Sequence, residues 1–202
     1  MSVYHYLHVY ADGPGWPDAL IDHIEMLEAS GCQWDEVRVG IVGSEKHRKL
    51  VKLCLPELWV IVAEADEGWE QVTLASIEVM DDDIVCYTHT KGAANDTELN
   101  RNWRRHLEHF TLMPWGEVLH ELRGAGADVV CPNWLMQSIT GTLPKGCRGF
   151  SPGNYWWATG KLINSLPPVD MTDRYAAETW IGMGAPMVAI TDSIPWDPRR
   201  WM

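Results

Sequence analysis

Apolar and polar positions along the first half of the chain alternate in a way that separates strands from helices. Residues 3–10 are rich in β-branched and aromatic side chains and predict a strand. Pro17 then opens a helix with apolar positions at Leu20, Ile24 and Leu27, and Gly31 closes it. A second strand is predicted over 37–42, after which Ser44 stands as N-cap to a basic helix over 45–55 that Pro56 ends. A third strand over 59–63, a helix over 69–80 with Val72, Ala75 and Val79 on one face, and a fourth strand over 84–88 complete the run. Such alternation with short joints predicts a mostly parallel sheet covered by helices on both sides.

Beyond the fourth strand the rhythm changes. A polar loop over 92–96 leads to a long helix with Trp103, Leu107 and Phe110 on one face, then to a second helix over 117–122. Residues 128–131 predict a buried strand, and the Gly- and Pro-rich stretch 140–153 predicts a loop holding at most a short strand. Helices are predicted over 155–166 and 173–182, and a last strand over 187–191. With no repeat and no linker, one α/β domain is expected over 1–194, with 195–202 as a tail that Trp196 and Trp201 suit to docking.

Composition narrows the function classes. At 202 residues with 46% hydrophobic and 22% charged side chains, the chain has enough core to fold without staples. The 28 acidic against 16 basic residues, a net charge of −12, argue against a protein that coats nucleic acid or an anionic membrane. Five cysteines without a Cys-x-x-Cys pair read as reduced thiols. The longest strongly apolar run, 58–63, is too short for a bilayer, and no basic leader opens the chain, so a cytoplasmic protein is expected. Twelve tryptophans against two phenylalanines are an excess, because indole needs a partner for its N–H or a ligand on its face.

In an open α/β sheet, ligands gather beyond the carboxyl ends of the strands. This places Asp12, Gly43 and Ser44, Glu64 and Asp66, and His89-Thr90-Lys91-Gly92 on the ligand edge. Lys91 offers a point charge and Gly92 a close backbone approach, as a diphosphate needs; an ordinary turn with Lys91 in solvent is the alternative. Asp81-Asp82-Asp83 falls on the opposite edge and reads as a solvated turn. His106 and His109 lack a third ligand at zinc spacing and read as structural, while His5 and His8 lie on opposite strand faces. Around the predicted helix start at Tyr155-Trp156-Trp157, at least one ring should approach solvent unless a ligand covers it; a core pair plus a packed Tyr is the alternative. Glu178 sits among apolar neighbours, where burial would tune it as a general base; a surface pair with Arg174 is its plainer reading.

The ordered segments "VGIVGS", "CYTHTKG", "WRRHLEHF", "VVCPNW", "SPGNYWWATGKLINSLPP" and "RYAAETWIG" resemble a family of glycosyltransferases of bacteria and their phages. That family carries a His-Thr-Lys-Gly strand end and a Ser-Gly-Asn-Phe-Trp-Trp-Ala loop. The resemblance implies a GT-A-like α/β/α sandwich and transfer of a hexose from a nucleotide-diphosphate sugar to a hydroxyl of a protein or glycan, in the host cytoplasm if the chain is phage-encoded. It implies Tyr10, Asp12, His89, Thr90, Lys91 and Gly92 on the donor and its diphosphate. It further implies Gly153, Asn154, Trp156, Trp157 and Trp180 on the sugar and acceptor, and Glu178 as the catalytic acidic residue. Where most such enzymes carry Asp-x-Asp, this chain has His89-Thr90-Lys91, so no metal ligand is assigned, a need for Mn or Mg stays open, and Lys91 is the candidate to steady the leaving diphosphate. Gly149 stands where relatives tend to have His, and Pro152 is inserted in the loop. A non-catalytic carbohydrate-binding protein on the same fold is the alternative. A nucleotidyltransferase is disfavoured because Asp12-Gly13-Pro14-Gly15 carries no cation.

Overall fold

A computed structural model describes residues 1–136 and 143–192. The predicted tail with Trp196 and Trp201, and positions 140–142 of the predicted loop, lie outside these. The first strand, β1 (Val3–Tyr10), leads into α1 (Trp16–Ser30), which Gly31 ends in the left-handed conformation at φ 68°. β2 (Glu36–Val42), α2 (Glu45–Cys54), β3 (Val60–Ala65), the short α3 (Gln71–Leu74) and β4 (Ile84–His89) follow. The alternation matches the apolar pattern, but the third helix shrinks from the predicted 69–80 to a single turn. Residues 66–70 are thereby left as a loop on the ligand edge.

The second half begins with α4 (Glu98–Leu112), capped by the Thr97 hydroxyl accepting from Asn100 N, and α5 (Trp115–His120), which Glu121–Ala125 continues as one π-helical turn. Then come β5 (Val129–Cys131), β6 (Trp156–Thr159), α6 (Gly160–Ser165), α7 (Ala176–Trp180) and β7 (Val188–Ile190). Here the sequence expectation fails: the stretch predicted as a helix over 155–166 is a strand followed by a short helix. A continuous apolar run such as Trp-Trp-Ala has no period that separates the two states.

The seven strands form one sheet in the order β3-β2-β1-β4-β6-β5-β7. All pairs are parallel except those of β6, which runs antiparallel between β4 and β5. Both faces are covered. Tyr6, Val85, Tyr87 and Trp156 pack with residues of α3, α6 and α7 on one side. Val3, Ile84, Cys86 and Trp157 pack with α1, α4 and α5 on the other, where Leu7, Val9, Val39 and Ile41 also meet α1 and Val51 of α2. The result is the α/β/α sandwich that the pattern predicts. The five cysteines are free, three of them buried, and burial pushes the Cys131 thiol up to about 12.

Candidate functional site

Because β1, β2 and β4 run parallel, their carboxyl ends share one edge, and a pocket of about 470 Å³ opens there. The segment after β4 is held from three sides. Thr90 Oγ1 accepts from Tyr10 N at 3.0 Å, so the hydroxyl ties β4 to the end of β1. The fully buried Arg104 of α4 donates through Nη1 to Lys91 O at 3.1 Å and through Nη2 to Asp22 Oδ2 at 2.7 Å. Tyr155, also fully buried, donates its hydroxyl hydrogen to His89 O. Gly92 takes φ 82°, and a Cβ there would stand 2.7 Å from the Cβ of Asn100. Glycine is required at that turn both for conformation and for space.

Tyr10, His89, Thr90, Lys91, Gly92 and Glu178 all line this pocket. Lys91 Nζ lies 3.8 Å from Glu178 Oε1 and 4.5 Å from the centroid of the Trp103 ring, so the cation is held between a carboxylate and an aromatic face. Glu178 therefore pairs with Lys91 rather than with Arg174 one turn earlier on its own segment. Burial raises the Glu178 pKa above the ordinary carboxylate value, with Lys91 opposing that rise and Glu70 adding to it.

Several lining residues were not among the predicted site. Trp69 and Glu70 precede α3, Arg174 and Tyr175 precede α7, and His8 reaches the pocket from β1. The strand-end rule points to Glu70 once the helix start is placed at Gln71 rather than near Trp69. His8 bonds Thr73 Oγ1 through Nδ1 at 2.8 Å, and burial pushes its pKa down to about 4.

Other predicted residues lie elsewhere. Asp12 is at the ligand edge, outside the lining of this pocket, where its carboxylate accepts from Ser44 N, Ser44 Oγ and His47 Nδ1. The His47 contact, followed by the Ser44 bonds, holds its carboxyl below the usual range. Trp156 and Trp157 are outside the lining of this pocket: both are fully buried, on opposite faces of the sheet, donating to Asn154 Oδ1 at 2.8 Å and Thr111 O at 2.7 Å. A strand between two helical layers buries both of its faces, which removes the expectation that one ring must reach solvent. Trp180, the last residue of α7, is buried, with its indole N–H on Pro167 O.

Gly153 and Asn154 stand behind the pocket wall rather than on it. Gly153 O accepts from His89 Nε2 at 2.7 Å. Asn154, left-handed at φ 58°, donates through Nδ2 to Glu70 Oε2 at 2.5 Å. Among the discarded candidates, His106 pairs with Asp192 at 3.0 Å, and the Asp83 carboxylate accepts from Ser2 N and Met80 N instead of facing solvent. Among the described residues, no group of three or more His, Cys, Asp or Glu side chains is placed to hold a metal ion, and no helix is long and apolar enough to cross a membrane.

No protein-family model and no curated protein matches the chain. Solved structures similar to it include the homolog of Mycobacterium tuberculosis Rv0371c from Mycobacterium sp. strain JC1, at 13% identity over 96% of this chain and 87% of that one, with a TM-score of 0.48. Rv0371c of Mycobacterium tuberculosis H37Rv in complex with manganese matches at 10% identity over 99% and 97% of the two chains, TM-score 0.42. A 4-diphosphocytidyl-2C-methyl-D-erythritol synthase matches at 12% identity over 99% and 95%, TM-score 0.45. None of the three is described as a glycosyltransferase, and likenesses of this strength carry no argument about activity.

Proposed function

We propose that the chain is a glycosyltransferase that moves a hexose from a nucleotide-diphosphate sugar to a hydroxyl-bearing acceptor. The observation that carries this reading is the 3.8 Å approach of Lys91 Nζ to Glu178 Oε1 inside a pocket on the carboxyl edge of a parallel sheet. Transfer to a hydroxyl needs a base for the incoming O–H and a cation for the departing diphosphate, and these two groups supply one of each. Burial keeps Glu178 more basic than an exposed carboxylate. Lys91 exchanges the Glu178 carboxylate for the diphosphate as the donor enters, leaving Glu178 free to take the acceptor proton. The exposed rings of Trp69 and Tyr175 and the Trp103 face supply apolar surface for a base or a pyranose. Among the described residues no group of three or more His, Cys, Asp or Glu side chains is placed to hold a divalent ion, and in this reading Lys91 meets the diphosphate charge.

The test is titration calorimetry with uridine and guanosine diphosphate hexoses, followed by transfer to hydroxyl acceptors read by mass spectrometry. Glu178→Gln should keep donor binding and lose transfer by about a hundredfold or more. Transfer at the full rate in Glu178→Gln removes the assigned base. A second reading, a carbohydrate-binding protein without turnover, is favoured by Pro152 and Gly149, both departures from the loop of the glycosyltransferase family that the sequence resembles. Donor binding by the wild type with no transfer to any acceptor would establish it.

A further inference from the structure

The floor of the pocket holds two hydrogen-bond acceptors facing each other. His89 donates from Nε2 to Gly153 O at 2.7 Å, so in the neutral ring the other nitrogen, Nδ1, carries only a lone pair. Burial, reinforced by Lys91, pulls the His89 pKa down to about 3, which leaves the ring neutral at physiological pH. Nδ1 stands 3.4 Å from Glu70 Oε1. No hydrogen is available between these atoms from either side chain, so the pair is completed only by a donor brought to both.

The surroundings fix the sign of that donor's group. Glu70 Oε2 already accepts from Asn154 Nδ2 at 2.5 Å, with the Tyr87 hydroxyl at 3.5 Å. The Glu70 and His89 side chains are 19% and 8% exposed, and Lys91 is as shielded as Glu70 at 19%, whereas Arg174 and Tyr175 are exposed. His8, the other ring on the floor, is neutral for the same reason as His89. Neither Lys91 nor Arg174 bonds the two acceptors: Lys91 is close enough to oppose a charge on His89 but is engaged by Glu178 and the Trp103 face, and Arg174 is exposed. The facing acceptors are thus left without a bonded donor, while the nearby Lys91 is already taken up by a carboxylate and an aromatic face.

On the reading of the pocket as a nucleotide-sugar site, we infer that Glu70 and His89 are the specificity-determining pair for the sugar, accepting hydroxyl hydrogens of an uncharged pyranose and rejecting uronates. A hydroxyl inserted between Nδ1 and Oε1 supplies the missing donor. A sugar carboxylate brings two further acceptors and a negative charge beside Glu70, while Lys91 is engaged by Glu178 or, in the proposed reaction, by the diphosphate. Asn154 is a positioning residue in this scheme: its left-handed backbone aims Nδ2 at Glu70 while Oδ1 is pinned by Trp156.

The experiment compares matched donors by titration calorimetry: UDP-glucose with UDP-glucuronate, and GDP-mannose with GDP-mannuronate, on the wild type and on Glu70→Gln. The glutamine keeps an oxygen for Asn154 and removes the charge. The wild type should bind the hexose at least about tenfold more tightly than the uronate of the same nucleotide, and Glu70→Gln should narrow the gap to roughly threefold, chiefly by admitting the uronate. Equal binding of hexose and uronate by the wild type overturns the inference, and this comparison stands even if the variant does not fold. So does discrimination that a folded Glu70→Gln leaves unchanged. Absence of binding by every donor overturns the donor-site reading itself, an outcome distinct from hexose binding without discrimination.

Discussion

Replacing each of the adjacent tryptophans by phenylalanine separates a structural role from a ligand contact. Trp156 and Trp157 are both fully buried, and each stacks on one ring, Tyr87 and Trp34 respectively, at 5.1 Å. Phenylalanine keeps an aromatic face there but loses the indole N–H, which leaves Asn154 Oδ1 in one variant and Thr111 O in the other without that donor. An unmet buried acceptor costs about 1–3 kcal/mol. The smaller ring adds a cavity term on the order of 1 kcal/mol. Each variant should therefore lose about 2–4 kcal/mol in urea unfolding followed by circular dichroism. Binding should split them. Trp156 is the residue that pins Asn154, and Asn154 holds Glu70, so Trp156→Phe should weaken hexose-donor binding by one hydrogen bond's worth, about 1 kcal/mol or roughly fivefold in Kd. Trp157 faces the opposite layer, against α4, and its variant should bind as the wild type does. Stability losses below about 0.5 kcal/mol together with abolished binding would show that the rings face ligand. Equal binding by both variants would break the proposed link from Trp156 through Asn154 to Glu70.

Two further predictions concern charge. His8 and His89 are pushed from 6.5 to about 4 and about 3, so below about pH 6.5 the unfolded chain binds protons that the folded chain refuses. Stability should be fully expressed above pH 6.5 and fall as the pH drops toward 3–4, and replacing His8 by Gln should flatten that slope in pH-dependent urea unfolding; an unchanged slope counts against the buried neutral ring. Lys91 lowers the Glu178 pKa against the rise that burial causes. Lys91→Met should thus move the acid limb of the rate profile to higher pH as well as weaken nucleoside-diphosphate binding, and an acid limb that does not move uncouples the two residues.

How much of this was legible depends on how local the signal is. The first four strands and two helices announced themselves because each carries its own punctuation: Pro17 and Gly31 around α1, Gly43 and Ser44 before α2, Pro56 after it. Ser44 was found for the wrong reason, since its hydroxyl bonds Asp12 rather than capping the helix. The antiparallel β6 was invisible because its insertion between β4 and β5 is a long-range choice that nothing in 155–166 encodes by period. Of the site, the strand-end rule found His89, Thr90, Lys91 and Gly92 by position alone, the family resemblance added Tyr10, and apolar neighbours pointed to Glu178. The same rule passed over Glu70 because the amphipathic pattern extended the third helix over it, and over His8 because His8 lies within the strand rather than beyond its carboxyl end.

The misread segment also explains why the tryptophan excess pointed at the sugar. Around a helix, Tyr155, Trp156 and Trp157 would spread over some 200° of arc, and one ring would have to leave the core. On a strand they alternate between two faces, and in a sheet sandwiched by helices both faces are dry. Tyr155 turns to His89 O, Trp156 to Asn154, and Trp157 to Thr111 O, so each polar tip is spent on holding another part of the chain. Two of those three bonds converge on the pocket from behind, one on the backbone of the strand end that bears Lys91 and one on the amide that orients Glu70. The motif therefore stands behind the pocket as the support of residues that line it, and a change in these aromatics should reach function only through stability and through Glu70.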